Sequence, residues 1–456
     1  MRGYAPPFVG DQRLMRLLSC LIAGFVSLIA SQTFAAPVLM ISIDGLRPAD
    51  ILQADARGLR IPTLRSLAQG GAYATAARGV LPTLTYPSHT TLITGVWPAK
   101  HGIASNLTFD PYVKNQTGWY WYAEDIKVPT LWDAAHAAKL KVANVHWPVS
   151  VGAHAIDLNL PQLWRTGTED DRKLNRALAT RGLTERLEAA LGPYAQGIDE
   201  SVEGDEIRAR FAEKLMADDA PGFATVYLTG LDHVQHESGP DTPEAHAALE
   251  RIDAAVGRLV TAARKAQPGL VVVIVSDHGF APVAHDVNLI APFVQAGLIH
   301  IDLAKREITS WEAEPWFAGG SAEVKLAHPE DRALRARVEA LLDKLKANPD
   351  LGIDEVMSED RIAKLGGAGD YQYLIAFKLG YEMGKDPLGP AVGPSPVKGM
   401  HGYAPNFPEM RATFLVNGPG LPVHGTLGEI DMRDIAPTVA GLLGAKLPAA
   451  DGKRLF

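Results

Sequence analysis

Three apolar runs constrain the fold of this chain more than any other feature, because each is followed at once or shortly after by an aspartate. They contain "VLMISIDG", "FATVYLTGLD" and "GLVVVIVSDHG", and they lie far apart in the sequence. Runs this apolar and rich in Val and Ile predict strands that are buried on both faces. Such strands are typical of parallel sheets that have helices on both sides.

Helical segments alternate with these strands. The sequence predicts a short helix in "IPTLRSLAQGGA" and a long one across "TPEAHAALERIDAAVGRLVTAARKA". It predicts further strands at "KVANVHW" and "RATFLVNGPG", and a closing helix in "DMRDIAPTVAGLLG". This alternation indicates an α/β fold with a doubly wound, mostly parallel sheet and helices on both faces.

The composition changes between about residues 292 and 397. This stretch contains "SAEVKLAHPEDRALRARVEALLDKLKANPDLGIDEVMS" and ends in "DPLGPAVGPSPVKG", which is rich in Pro and Gly as a linker is. It predicts a small α+β unit inserted into the sheet domain. We therefore expect a core domain over residues 36–291 and 398–456, with an α+β insertion, or cap, over residues 292–397.

The N-terminus predicts export. Basic residues precede the apolar run "LLSCLIAGFVSLIAS", and "QTFAAP" follows it, with Ala35 or Ala36 at a cleavage position. The run is short for a transmembrane span, so residues 1–35 are expected to be a cleaved signal peptide, with an uncleaved anchor as the alternative. The mature protein is then periplasmic or extracellular, without stable insertion in the membrane.

The mature chain lacks thiol chemistry, because the only cysteine, Cys20, lies in the predicted signal peptide. A metal site in the mature protein must therefore use His and carboxylate ligands. The net charge of −8 gives no general reason to expect binding of a nucleic-acid duplex or of anionic membranes.

Polar residues cluster where the three buried strands end. Asp44 follows the first strand and Asp232 lies just beyond the second, while Asp277 and His278 follow the third. Ligands of open parallel sheets bind outside the carboxyl ends of the strands, so these side chains are expected at one edge. Three carboxylates there repel one another unless cations lie among them. A turn or a helix cap explains any one of them alone, but the three together with histidines favour a metal site.

Two more histidines extend this cluster. In "DHVQH", Asp232 and His236 are four residues apart, so on a helical turn they share a face and can bind one ion. His233 points elsewhere and is expected to have a structural role. His401, in "KGMHGYAPN", lies between two glycines that permit close backbone approach, which suits either a metal ligand or a plain turn.

The stretch "LPTLTYPSHTTLITG" places Thr85 directly before Tyr-Pro-Ser-His, where a strand is expected to end and a helix to begin. The threonine is therefore either a helix cap or a nucleophile. Coordination to a metal would lower the pKa of its hydroxyl, so a nucleophile here requires no neighbouring general base.

In their order along the chain, these motifs resemble the alkaline phosphatase superfamily and, within it, the nucleotide pyrophosphatase/phosphodiesterase family. The resemblance covers the chain from about residue 37 to the end and rests on "DG" at Asp44, "TYPSH" at Thr85, "HGIASN" ending at Asn106, "DHVQH", "SDHG" and "HGY" at His401. It implies an alkaline phosphatase-like α/β fold. It also implies hydrolysis of phosphodiester or phosphoanhydride bonds through a covalent phosphothreonine intermediate at Thr85.

The resemblance further implies two Zn²⁺ ions per chain. One would be held by three side chains: Asp232, His236 and His401. The other would be held by four: Asp44, Thr85, Asp277 and His278. Three carboxylates and three neutral imidazoles do suit zinc, although manganese and iron are tolerated by the same ligands.

The resemblance also implies residues that bind the substrate. Asn106 would donate a hydrogen bond to a non-bridging phosphate oxygen, and Tyr86 and Tyr227 would sandwich a nucleobase. The neutral amide of Asn106 favours a diester, since a monoester usually needs a cationic clamp, and neither Lys114 nor Arg165 is fixed by a motif. The sequence "TGWYWYAED" adds aromatic side chains that form either a rim of the site or a loop packed on itself.

The substrate predicted is thus a small phosphodiester or a nucleotide. The alternatives are a phosphomonoesterase of the alkaline phosphatase type, a phosphonate monoester hydrolase on the same metal site, and a non-catalytic binding protein with this fold. Sulfatase chemistry fits poorly, because Thr85 cannot be oxidised to the aldehyde and His89 stands where that branch has Arg. Departures from the family pattern at Leu231, Gln235 and Ala404 bear on substrate class more than on the metal ligands.

Overall fold

The computed structural model describes residues 1, 3–5, 35–115, 118–384 and 386–456. The predicted signal peptide therefore lies almost wholly outside the described residues, as does Cys20. Within the described ranges, no helix combines the length and the apolar character that crossing a membrane requires.

The strands are short and follow one another along the chain in this order: β1 (Val38–Ile43), β2 (Ala72–Tyr73), β3 (Ala76–Arg78), β4 (Val142–Val145), β5 (Leu158–Leu160), β6 (Phe223–Leu228), β7 (Val271–Val275), β8 (Ala281–Val287), β9 (Ile299–Asp302), β10 (Glu307–Trp311), β11 (Ala313–Phe317), β12 (Ser321–Leu326), β13 (Ile353–Ser358), β14 (Tyr373–Phe377), β15 (Gly380–Met383), β16 (Val392–Pro394), β17 (Gly399–Met400), β18 (Phe414–Asn417), β19 (Gly425–Thr426) and β20 (Glu429–Asp431).

The α-helices alternate with the strands of the first half and are: α1 (Pro48–Leu52), α2 (Ala54–Arg57), α3 (Pro62–Gln69), α4 (Thr85–Thr94), α5 (Pro98–His101), α6 (Leu131–Ala137), α7 (Glu169–Leu178), α8 (Leu183–Leu191), α9 (Val202–Asp219), α10 (Gly230–Ser238), α11 (Pro243–Ala266), α12 (Ile290–Gln295), α13 (Arg332–Lys346), α14 (Glu359–Lys364) and α15 (Ile435–Leu442). Short 3-10 turns are also present: Ala123–Asp125, Pro349–Leu351, Pro408–Met410 and Met432–Asp434.

The central sheet has the strand order β19-β2-β18-β7-β1-β6-β4-β5. Strand β1 lies in its middle and pairs in parallel with β6 and β7, so the carboxyl ends of the three apolar runs meet at one edge. Strands β4 and β5 continue the parallel part, whereas β18 is antiparallel to β7. The predicted doubly wound, mostly parallel sheet is confirmed.

Both faces of this sheet are buried, which explains why its strands are apolar at nearly every position. In β1, Leu39, Ile41 and Ile43 pack on one side in a cluster that includes side chains of α3, α9 and α11. Val38 and Met40 point to the other side and pack with side chains of α4, α6 and α15. Successive side chains of a strand point to opposite faces of the sheet. A sheet covered on both sides therefore needs apolar residues at successive positions and not only at every second one.

A second sheet, fully antiparallel, has the order β11-β12-β14-β13 and lies in the predicted insertion. Helix α13 covers one face, with Val338 and Leu342 in the same cluster as Val324 of β12. On the opposite face, Leu374 of β14 lies in a cluster with Leu81 of the core domain. Strand β8, which precedes the predicted insertion, pairs with β15 and β16 inside it.

Two helices carry predicted site residues to the carboxyl edge of the central sheet. Helix α4 begins at Thr85, and Leu84, with extended backbone, occupies the N-cap position. The predicted helix start is confirmed, but Thr85 is the first helical residue and not the cap. Helix α10 follows β6 directly and carries Asp232 and His236 on successive turns.

Candidate active site

The residues predicted to ligate metal converge at the carboxyl edge of the central sheet, although they come from distant parts of the chain. Within the described residues, two groups place ligand atoms within 4.8 Å of one another: Asp232, His278 and His401, and Asp44, Asp277 and His278. His278 thus stands between the groups. His236 lies beside the first group, with its Nε2 atom 3.4 Å from Asp232 Oδ2.

Thr85 lies against this cluster. Its Oγ1 atom is 3.4 Å from His278 Nε2, and the residue is only 7% exposed. Helix α4 fixes its backbone, and the carbonyl of Thr85 accepts a hydrogen bond from Nδ1 of His89 at 2.8 Å. The hydroxyl is therefore held next to the ligands by the first turn of the helix.

Three histidines turn the Nε2 atom of their rings towards the cluster, because their Nδ1 atoms are bonded elsewhere. The Nδ1 atoms of His236, His278 and His401 lie 2.9, 3.0 and 3.0 Å from backbone carbonyl oxygens. A carbonyl only accepts, so each Nδ1 carries the proton and donates it. The Nε2 lone pair of each ring is then free of that proton and faces the carboxylates, which is the arrangement that metal-binding histidines need.

Glycines allow the backbone around His401 to approach its neighbours this closely. A Cβ atom on Gly399 would lie 2.4 Å from the carbonyl oxygen of Gln235. Gly402 has a φ of +80°, and a Cβ atom there would lie 2.1 Å from the carbonyl oxygen of Ala318. A side chain at either position would push the loop, and with it His401, out of place.

The carboxylates of the cluster have oxygens without partners. Among the buried side-chain atoms of the described residues, Asp44 Oδ1, Asp232 Oδ1 and Asp277 Oδ2 make no hydrogen bond. The second oxygen of Asp277 has a partner: Oδ1 accepts a hydrogen bond from the backbone N–H of Gly45 at 3.2 Å. Buried polar atoms normally have partners, so three unpartnered oxygens in one place form a donor set that could hold a cation.

The pKa values point the same way. Burial, with added repulsion from Asp277, raises the pKa of Asp44 well above its usual range, and burial raises the pKa of Asp277 to about 7. Burial also raises the pKa of Asp232 well above its usual range. The three carboxylates therefore need nearby positive charge to stay ionised together at neutral pH.

The imidazoles are neutral, as ligands must be. Burial lowers the pKa of His401 to about 3 and that of His278 well below its usual range. Neutral imidazole nitrogens beside unpartnered carboxylate oxygens are a donor set suited to zinc and related divalent ions. The residues present thus fit the metal centre that the sequence predicts, and the cluster can hold metal ions.

Asn106 lies next to the nucleophile candidate. Its Oδ1 atom accepts a hydrogen bond from the backbone N–H of Tyr86 at 2.9 Å. The side-chain nitrogen of Asn106 is then left to donate, as the predicted contact with a phosphate oxygen requires. The side chain is half-buried, in contrast to the buried Thr85.

Tyr86 and Tyr227, which were predicted to sandwich a nucleobase, are both buried, 1% and 2% exposed. The Tyr86 hydroxyl donates to Gln162 Oε1 at 2.7 Å inside the fold. The Tyr227 ring packs against His89, at 4.5 Å between centroids, and lies in the core that covers the central sheet. A base has no access to a face of either ring.

Tyr227 instead holds a metal-ligand candidate. Its hydroxyl donates a hydrogen bond to Asp44 Oδ2, which leaves Oδ1 of that carboxylate for a cation. No signal in the sequence distinguishes this tyrosine from an ordinary core residue of a strand. The contact exists because β1 and β6 are neighbours in register, with Tyr227 opposite Ser42.

The aromatic side chains of "TGWYWYAED" include two indoles that pack around Tyr86. The rings of Trp119 and Trp121 lie 5.2 and 6.2 Å from the Tyr86 ring. Trp164 packs edge-on against Trp119, at 5.0 Å. Trp119 and Trp164 are half-buried, so they expose ring surface that Tyr86 does not.

Three other residues weighed from the sequence lie away from the cluster. Arg165 donates to the backbone oxygen of Asn115 at 3.2 Å, and Lys114 lies over the ring of Tyr112. His233 is 3.8 Å from Glu200 and points away from the ligands, as predicted. Neither Arg165 nor Lys114 therefore supplies a cationic clamp beside Asn106.

Comparisons with known proteins agree with this geometry. The family described as Type I phosphodiesterase / nucleotide pyrophosphatase matches residues 38–404. A pyrophosphatase/phosphodiesterase of Schizosaccharomyces pombe is 28% identical over 256 residues, which are 55% of this chain and 46% of that protein. Ectonucleotide pyrophosphatase/phosphodiesterase family member 1 of Homo sapiens is 28% identical over 255 residues, 53% of this chain and 23% of that protein. The match thus spans less than half the length of these relatives.

Solved structures share the fold. Murine ectonucleotide pyrophosphatase/phosphodiesterase 5 superposes with a TM-score of 0.65 at 18% sequence identity, covering 91% of this chain and 97% of that chain. An inactive variant of the same murine protein in complex with AMP superposes with a TM-score of 0.65 at 16% identity, covering 92% and 97%. The α/β fold is therefore alkaline phosphatase-like, and the chain belongs to the type I phosphodiesterase / nucleotide pyrophosphatase family.

Proposed function

We propose that this protein is an exported two-zinc phosphodiesterase, or nucleotide pyrophosphatase, that attacks its substrate through Thr85. The observation that carries the proposal is the convergence of the three unpartnered carboxylate oxygens and the three Nε2 atoms beside the Thr85 hydroxyl. Membership of the family supports hydrolysis of phosphodiester or phosphoanhydride bonds.

One ion would be held by Asp232, His236 and His401, and the other by Asp44, Thr85, Asp277 and His278. Two Zn²⁺ ions bound there supply Lewis acidity, which lowers the pKa of a coordinated hydroxyl and stabilises charge on phosphoryl oxygens. Their four positive charges exceed the three carboxylate charges by one, so the site favours a phosphodiester monoanion. His278 belongs to both groups of close ligand atoms, so the two ions, if bound there, would be adjacent.

The side chains carry the reaction in two displacements. The Thr85 hydroxyl gives up its proton to solvent and Oγ1 forms a bond to phosphorus, while the bond from phosphorus to the leaving oxygen breaks and the leaving group takes up a proton from solvent in its place. The phosphothreonine ester is then attacked by water, which releases the phosphate monoester and restores the Thr85 hydroxyl. Asn106 donates its amide N–H to a non-bridging oxygen throughout, held in place by the Tyr86 backbone.

The substrate we propose is a nucleotide, such as a nucleoside triphosphate or a dinucleotide that is cleaved to the 5′-monophosphate. The AMP complex of the murine structural neighbour supports a nucleotide in a fold of this kind. The half-buried indoles of Trp119 and Trp164 replace the tyrosines as the surface on which a base stacks. Stacking of this kind contributes roughly 1–3 kcal/mol per base.

Replacing Thr85 with alanine tests the mechanism. Turnover of bis(p-nitrophenyl) phosphate by Thr85→Ala should fall by at least about a thousandfold, because the nucleophile is gone, while two zinc ions per chain remain bound. Thr94→Ala is the matched control, since it removes a buried hydroxyl that bonds only Thr90 O in the same helix. Activity of Thr85→Ala equal to that of Thr94→Ala would exclude Thr85 as the nucleophile.

A substrate comparison separates the alternatives on the same metal site. The diester should be hydrolysed faster than p-nitrophenyl phosphate, because a neutral amide and not a cation meets the equatorial oxygens. A faster monoester reaction would favour an alkaline phosphatase-type enzyme, and a faster phosphonate monoester reaction a phosphonate hydrolase. If the protein binds fewer than one metal ion per chain and hydrolyses none of these substrates, the non-catalytic binding protein would be favoured.

We also propose the domain division and the export that the sequence predicts. The catalytic core comprises residues 36–291 and 398–456, the insertion residues 292–397, and the signal peptide residues 1–35. The antiparallel sheet β11-β12-β14-β13 supports a separate insertion, to which β8 adds by pairing with β15 and β16. The ectonucleotide relatives support export to the periplasm or the exterior.

A further inference from the structure

A second cavity lies away from the metal-ligand cluster. It has a volume of about 490 Å³ and lies between the segment 107–113 on one side and strands β10 and β11 of the insertion on the other. This is within the range of pockets that hold small molecules. No predicted metal ligand lines it, and most of its walls are apolar, for example Ile301, Ile308 and Met383.

A buried carboxyl without a partner lines this cavity. Glu314 is 3% exposed, and its Oε2 atom makes no hydrogen bond to any described residue. The indole Nε1 of Trp316, also in the lining, has no partner either. Burying an acid in an apolar wall is costly unless a group arrives to pair with it.

The charges around the cavity favour a cation. Among the described residues that line it are three acids, Asp110, Glu307 and Glu314, and one base, Arg306. Arg306 is largely exposed and directs its guanidinium towards Asp386, at 3.9 Å. Once Glu314 is ionised, acidic groups therefore outnumber basic ones among the described lining residues.

We propose that this cavity is a binding site for a small organic cation, an ammonium group carried on an apolar or aromatic body. The ammonium pairs with Glu314, and the body packs against the apolar walls. The indole of Trp316 offers the cation a ring face, which attracts positive charge. The site does not depend on the proposed hydrolase activity.

Binding at this site is coupled to a proton. Burial raises the pKa of Glu314 to about 8, so the carboxyl is mostly protonated at neutral pH. The nearest base across the sheet, Lys325, is opposite Glu314 in register but pairs with Asp370 at 2.6 Å. An ammonium ligand must therefore displace the proton itself, and its affinity rises with pH until about pH 8.

The wall formed by residues 107–113 is anchored to the insertion. The Phe109 ring lies edge-on to Trp311 and Trp316, at 5.2 and 5.0 Å, and the Lys325 ammonium lies 5.0 Å from its centroid. These contacts hold the two sides of the cavity together without filling it. A ligand thus enters a site that is already formed, which lowers the entropic cost of binding.

Calorimetric titration with 2-phenylethylamine tests the proposal. The control ligand is 2-phenylethanol, which has a similar shape but carries no charge. The amine should bind at least about tenfold more tightly at pH 8.5 than at pH 6.5, and at least about tenfold more tightly than the alcohol at pH 8.5. Absence of amine binding, or equal binding of amine and alcohol, would overturn the proposal.

Two variants locate the site. Glu314→Gln should lose both the binding and its pH dependence, whereas Glu323→Gln should keep them. Glu323 is a matched control because it is also buried with unpartnered oxygens, on the adjacent strand β12, yet does not line the cavity. Ile308→Trp fills the cavity without touching the acid and should also abolish binding. Binding that survives both Glu314→Gln and Ile308→Trp places the ligand elsewhere and refutes the assignment.

Discussion

Two regions of this molecule bury carboxyl groups without hydrogen-bond partners, and they differ in what surrounds those groups. At the carboxyl edge of the central sheet, Asp44, Asp232 and Asp277 meet imidazole nitrogens and a threonine hydroxyl. On the insertion sheet, Glu314 lies in the largely apolar wall of a cavity, and Glu323 lies 3.7 Å from the Lys325 ammonium.

The two regions resemble each other in their pKa values. Burial raises the pKa of Asp277 to about 7, and burial raises those of Glu314 and Glu323 to about 8. A raised pKa therefore identifies neither a metal site nor a catalytic group by itself. The difference lies in convergence: several donors aimed at one point suit a metal ion, whereas a single acid in an apolar wall suits a proton or one ammonium group.

The largest contrast is expected from neutralising one acid in each region. Asp277→Asn should lower diester hydrolysis by more than about a hundredfold and reduce the bound zinc, because a ligand charge is lost. The control is Glu323→Gln. Glu323 has a similarly buried carboxyl but touches no metal-ligand candidate, so this variant should keep its turnover within about twofold of the wild type. Parallel assays of kcat/KM and of metal content check this, and comparable losses in the two variants would contradict the distinction between the regions.

A smaller effect is expected from the tyrosine hydroxyl that holds Asp44. Tyr227→Phe should weaken zinc binding by roughly 10–100-fold, because the outer hydrogen bond that orients the ligand is removed. Tyr86→Phe is the matched control, since its hydroxyl bonds Gln162 and no ligand. Competition with a chromogenic chelator measures both affinities, and identical values would show that the hydroxyl does not orient Asp44.

A third effect concerns stability on the insertion side. Since the folded-state pKa of Glu323 is raised to about 8, its contribution to stability is present below about pH 4.5 and is lost as pH rises towards 8. The loss amounts to at most roughly 1.4 kcal/mol per pH unit. Zinc-saturated Glu323→Gln should therefore lose less thermal stability than the wild type between pH 5 and pH 8.5. Equal slopes in melting experiments would mean that Glu323 ionises as an exposed glutamate does.

The sequence predicted most of the core domain because its signals are local. Strands β1, β6 and β7 are apolar throughout, and that alone indicates burial on both faces. The start of α4 and the helix that follows β6 also agree with the prediction. The orientation of Tyr86 and Tyr227 was not predictable in this way, because burial of a ring depends on which distant elements cover it.

By itself, then, the order of residues along the chain determined the sheet, the strand-end acids and the spacing that puts Asp232 and His236 on one helical face. Only the tertiary structure decided that the carbonyls of Gly399 and Thr83 turn Nε2 of His236 and His401 inward. It also decided that Tyr227 donates to Asp44 and that Glu314 faces a cavity. The physical reason is that strand burial and helical spacing are set by neighbours in sequence. Hydrogen-bond partners and cavities are set by contacts between residues hundreds of positions apart, such as the 318 that separate His401 from Thr83.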